Sequence, residues 1–138
     1  MANKKILIVD DDPDVWQGMN VRLRANHYDT FFAGDAHSSV VEARKHEPDL
    51  MILDLGLPAG DGFVVMERFQ RLPALAVIPV IVVSARDVRV NRDRALKAGA
   101  RAFLQKPVDD ADLLAVIRQV LGETPLPEKP DVVEPRPL

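Results

Sequence analysis

The 138-residue chain contains no cysteine, which excludes disulfide cross-links and thiolate-ligated zinc. It contains no apolar run near the ~20 residues that a membrane-spanning helix needs. The opening "MANKK" passes directly into a strand-like run, so no signal peptide is expected. The three histidines, His27, His37 and His46, lack metal-ligand spacing, and HExxH is absent. Neither sign of charge dominates: 18 Lys+Arg stand against 21 Asp+Glu, and a net charge of −3 offers no whole-surface attraction to nucleic acid. The expectation is a cytoplasmic protein that contacts neither membrane nor nucleic acid directly. With 47% hydrophobic and 28% charged residues, the composition suits one globular domain with a single sizeable core.

Four short aliphatic runs stand out: "KILIVD" (5–10), "DLMILD" (49–54), "VIVVS" (80–84) and "AFLQK" (102–106), with a weaker fifth, "DTFFA" (29–33). The first three are apolar without alternation, as strands buried on both faces are. Helical spacing fills the gaps. Val15, Met19 and Leu23 recur at i, i+4 and i+8 behind the cap Asp12 and Pro13. Residues 36–46 follow the cap Asp35, and residues 62–72 follow the cap Asp61. Residues 88–98 run to Gly99, and residues 110–121 end at Gly122. The result is βα repeated five times, an α/β fold with a parallel sheet covered by helices on both faces. The final stretch, "ETPLPEKPDVVEPRPL" (123–138), holds five of the eleven prolines and no periodicity. It reads as a disordered Pro-rich tail or linker rather than a ligand for a proline-recognition module.

Ligands of open α/β sheets bind outside the carboxyl ends of the strands. Strand one ends in Asp10 and Asp11, strand three in Asp54, strand four in Ser84 and strand five in Lys106. Parallel strands bring these to one edge: three carboxylates, a hydroxyl and an ammonium. Two like charges about 4 Å apart repel by roughly 4 kcal/mol at an effective dielectric near 20, so the carboxylates call for a cation. Few oxygen ligands with room for water and a phosphate oxygen suit Mg²⁺. Asp54 then becomes a carboxylate nucleophile toward a phosphoryl group, with Ser84 donating to one phosphoryl oxygen and Lys106 neutralising another. Asp12, followed by Pro13, reads as a helix cap, and Asp14 as solvated.

The stretches "ILIVDDDPDV", "DLMILDLGLPAGDGF", "VIVVSAR" and "FLQKPVDDADLL" resemble the receiver domain of two-component response regulators over residues 4–122. The resemblance implies a flavodoxin-like, doubly wound sheet of five parallel strands in the order 2-1-3-4-5, with five helices. It implies Asp54 as phosphoacceptor, with Mg²⁺ held by Asp11 directly, by Asp10 partly through water, by Asp54 and by the backbone carbonyl of Gly56. Ser84 is implied as the switch hydroxyl, Lys106 as the phosphate-pairing ammonium and Phe103 as a rotating aromatic, although Phe103 reads equally well as a core residue of strand five. The Lys106–Pro107 peptide is implied to be cis. The implied partners are a histidine kinase or phosphotransfer protein and a downstream target or fused output domain, with no enzymatic activity of the domain itself.

Some positions depart from common choices in that family. Gly56 stands two residues after Asp54, where a longer side chain is usual, and Arg86 stands two after Ser84; both bear on phosphoryl lifetime. Arg101 and Ala102 occupy positions where winged-helix regulators carry acidic residues for dimer pairing, which weighs against that dimer. Residues 86–101 hold six basic and two acidic residues, a local charge of +4. That reads first as a solvated helix face and second as a docking surface for an acidic partner. Rival functions are a phosphorylation-independent scaffold, an aspartyl-phosphate hydrolase and a flavin mononucleotide carrier. The hydrolase wants a second Asp where Gly56 stands, and "DDDPD" would repel the flavin phosphate.

Overall fold

The continuous apolar runs become strands because successive side chains enter two separate core layers. In the computed structural model, which describes residues 2–57, 62–85 and 87–123, the strands are β1 (Lys5–Val9), β2 (Asp29–Ala33), β3 (Leu50–Leu53), β4 (Val80–Ser84) and β5 (Ala102–Gln105). All pairings are parallel and the order is β2-β1-β3-β4-β5. Leu7, Val9, Met51, Leu53, Val82 and Phe103 enter one layer. Ile6, Ile8, Leu50, Ile52, Ile81 and Leu104 enter the other. With both faces covered, polar alternation would place unpaired polar groups in a core, so β1, β3 and β4 run apolar without alternation.

The helices are α1 (Pro13–Ala25), α2 (Ala36–His46), α3 (Gly62–Arg71), α4 (Pro73–Ala76), α5 (Val88–Lys97) and α6 (Asp110–Val120). α1 and α6 cover one face through Leu23, Leu113, Val116 and Ile117. α2, α3, α4 and α5 cover the other through Ala43, Val65, Met66, Leu75 and Ala95. Asp12 caps α1, accepting from the Asp14 amide at 2.9 Å, and Asp35 caps α2, accepting from the Ser38 amide at 2.7 Å.

Six helices among the described residues correct the expectation of five. The expected helix over 62–72 stops at Arg71, because Pro73 cannot donate to the helical ladder and forces the residue before it into extended backbone. Leu72 accordingly is extended, with φ −106° and ψ 110°, and Pro73 begins a new helix at its first position. Gly99 (φ 108°) ends α5 as expected. The expected cap Asp61, Arg86 and the tail beyond Glu123 lie outside the described residues. Among the described residues no helix is long and apolar enough to cross a membrane.

Candidate functional site

The parallel register places the ends of β1, β3, β4 and β5 along one edge. Asp10, the residue after β1, is buried and held at four points. Its amide donates to the Ala33 carbonyl (3.0 Å), and its own carbonyl accepts from the Trp16 indole N–H (2.5 Å). Its Oδ1 accepts from the Asp12 amide (2.9 Å) and its Oδ2 from the Lys106 ammonium (2.9 Å). Asp11 follows with an exposed side chain. Asp54, the residue after β3, donates its amide to the Val9 carbonyl (2.9 Å), which locks it beside Asp10. Its Oδ1 accepts from the Gly56 amide (3.0 Å) and its Oδ2 from Lys106 (3.4 Å).

Carboxylate oxygens of Asp10, Asp11 and Asp54 lie within 4.8 Å of one another, a spacing that lets one metal ion touch all three. Lys106 brings a single positive charge to this group of three negative ones. The remainder is two negative charges in a pocket of oxygen donors, which fits a hard divalent cation. Burial by itself would lower the Lys106 pKa. Its hydrogen bond to Asp10 and the charges of Asp54 and Asp10 outweigh that, and the ammonium is held above the ordinary lysine value.

Ser84 is the last residue of β4 and fully buried, and its carbonyl accepts from the Lys106 amide (2.9 Å), so the β4 and β5 ends are tied together. The Lys106–Pro107 peptide is cis. Phe103 is fully buried in the layer beneath α3 and α5. The sequence therefore placed Asp10, Asp11, Asp54, Ser84 and Lys106 at one edge, and the structure brings them there. Gly56 meets Asp54 through its amide. Beside the edge, between α1 and α6, opens a cavity of about 580 Å³ with Val15, Met19, Val108 and Leu113 on its walls and Lys106 at its margin.

Two residues escaped sequence reasoning. Trp16 carries no signal beyond a place in the first helix, yet its indole holds Asp10. Gly62 begins α3 against the backbone of the site: a Cβ there would lie 2.7 Å from the Asp54 carbonyl oxygen and 2.8 Å from the Leu55 Cα. Its one visible signal is a glycine at the start of a helix, just after the stretch that follows Asp54.

Fold and site together define a flavodoxin-like α/β domain with a carboxylate–ammonium pocket at the carboxyl edge of its sheet. The family follows from the sequence: residues 6–118 match the response regulator receiver domain, and the chain belongs to that family. It is 34% identical over 116 residues to the response regulator PleD of Caulobacter vibrioides, covering 84% of this chain and 26% of PleD. It is 32% identical over 118 residues to Protein PilH of Pseudomonas aeruginosa, covering 86% of this chain and 98% of PilH. The receiver domain of the sensor histidine kinase PA1611 from Pseudomonas aeruginosa, solved with a magnesium ion coordinated in its active-site cleft, shares the fold at a TM-score of 0.79. That match has 26% identity and covers 88% of this chain and 99% of the other. Relatives also include DNA-binding regulators, of which the chain spans about half the length.

Proposed function

We propose that the domain is a phosphorylation switch in which Asp54 takes a phosphoryl group, with Mg²⁺, from the phosphohistidine of a partner kinase or phosphotransfer protein. The observation that carries this reading is the convergence of Asp10, Asp11 and Asp54 with Lys106 bridging Asp10 and Asp54. A divalent ion held by Asp11, Asp54, Asp10 and the Gly56 carbonyl would supply the positive charge that lets an anionic phosphoryl group approach a carboxylate. An Asp54 oxygen attacks phosphorus as the bond from phosphorus to the partner's imidazole nitrogen breaks; the imidazole leaves and takes up a proton. Lys106 neutralises one phosphoryl oxygen, and Ser84 donates to another. Movement of Ser84 and Phe103 then alters the face made by α5, β5 and α6, which binds the downstream target or a fused output domain. The apolar cavity between α1 and α6 supports a phosphodonor protein, since it offers an apolar hold next to the acceptor.

In this reading the domain is a substrate and switch rather than an enzyme. It works in the cytoplasm and touches no nucleic acid itself; its charge of −3 supports the latter. Beryllofluoride, which mimics a phosphoryl group on a carboxylate, tests the reading. With Mg²⁺ it should bind the wild type and change amide exchange along α5 and β5, and Asp54→Asn should abolish the response. An equal response in Asp54→Asn would contradict it.

A further inference from the structure

We propose that Trp16 is a positioning residue for the metal pocket, acting through the main chain of Asp10 to aim Asp11. The inference rests on the reading of the acidic cluster as a magnesium site. Among the described residues the Asp11 side chain has no hydrogen-bond or ion-pair partner, and it is exposed. Its direction is therefore set by its backbone. The Asp10 carbonyl and the Asp11 amide belong to one planar peptide unit, so whatever fixes that carbonyl fixes the plane from which Asp11 departs. The Trp16 indole N–H is the group that fixes it.

The indole is itself well held. It stacks on Phe32 of β2, with ring centroids 5.3 Å apart and 23° between planes. Phe32 is paired in register with Ile8 of β1, the strand that leads into Asp10. The Trp16 amide donates back to the Asp12 carbonyl (3.3 Å), which fixes Trp16 in the first turn of α1. The neighbouring carboxylate, Asp10, has its own side chain fixed by Lys106 and the Asp12 amide. Without the indole contact the Asp10 amide and the Asp12 amide would keep their bonds, but the Asp10 carbonyl would lose its holder, and the added freedom of the Asp10–Asp11 peptide would oppose metal binding.

Trp16→Phe keeps an aromatic ring for Phe32 and removes the donor. Calorimetric titration should show Mg²⁺ affinity weakened by about tenfold, at the lower end of what loss of a ligand-orienting partner does. A purely structural tryptophan would lower the melting temperature of the metal-free protein and leave Mg²⁺ affinity unmoved. A second measurement needs no variant of Trp16. The chain has one tryptophan, so it has one indole N–H resonance. That resonance should shift on Mg²⁺ addition to the wild type and stay in place in Asp11→Asn. Mg²⁺ binding by Trp16→Phe with wild-type affinity, or an indole signal indifferent to Mg²⁺ in the wild type, would overturn the inference. Failure of the wild type to bind Mg²⁺ at all would overturn the pocket reading with it.

Discussion

Lys106 faces Asp10 at 2.9 Å and Asp54 at 3.4 Å, so it already occupies part of the electrostatic role that a divalent ion would take. Two consequences follow at the scale of this residue. Lys106→Met should tighten Mg²⁺ binding by about tenfold, because a competing positive charge is gone. It should at the same time slow phosphoryl uptake by about a hundredfold, because an oxygen of the incoming group loses its cation. Titration calorimetry and the rate of uptake from acetyl phosphate separate the two effects; weaker Mg²⁺ binding in the variant would contradict this account. The pH dependence has a definite direction. The folded pKa of Lys106 is raised, so its contribution to stability is complete below the ordinary value of 10.5 and is lost only as pH rises through the folded value. Denaturant melts across neutral and mildly alkaline pH should show no loss from this group.

At the scale of elements, the site depends on how closely α3 begins against β3. The Gly62 amide donates to the Leu55 carbonyl (2.9 Å), and no side chain fits between them. Gly62→Ala should therefore destabilise the fold by about 1–3 kcal/mol, the usual effect of overpacking, measured by denaturant melts. A neutral result would mean that the start of α3 is free to shift away from Asp54. The sequence showed the elements well where burial imposes a period. β1, β3 and β4 are legible because both their faces are buried, and α1 because Val15, Met19 and Leu23 share a face. The break at Pro73 was equally present in the sequence, as a proline inside a helical pattern. Gly62 and Trp16 were not legible, because each acts on backbone atoms distant in sequence or out of helical phase, and no periodic signal marks such contacts. Asp10, Asp54 and Lys106 were legible because a parallel sheet sends every strand end to the same edge.

At the scale of the molecule, α6 serves two places: with α1 it flanks the cavity beside the proposed acceptor, and with α5 and β5 it forms the proposed response face. The end of the described chain is tied back to the body on the α1 and α6 side. Tyr28 donates its hydroxyl to Glu123 (2.8 Å) across 95 residues of sequence, and Arg118 reaches Asn26 (3.2 Å) beside it. Burial and the Glu123 carboxylate push the Tyr28 pKa up to about 12. The fold thus favours the neutral phenol, and this contribution to stability is complete below about 10 and lost as pH rises toward about 12. Tyr28 is the single tyrosine, so an absorbance titration reads it alone. Its midpoint should be displaced well above the ordinary value in the wild type and fall back part of the way in Glu123→Gln. An unchanged midpoint in that variant would show that Glu123 does not hold the phenol in solution.

The central claim is that Asp54 is the acceptor and needs the metal pocket around it. The most direct measurement is incubation with acetyl phosphate, with Mg²⁺ or with a chelator, followed by assay for acid-stable, alkali-labile phosphate and mapping of the modified peptide. The account predicts phosphate on Asp54 only with Mg²⁺, and none on Asp54→Asn. Phosphate at another residue, equal labelling in the chelator, or no labelling of the wild type in Mg²⁺ would contradict it.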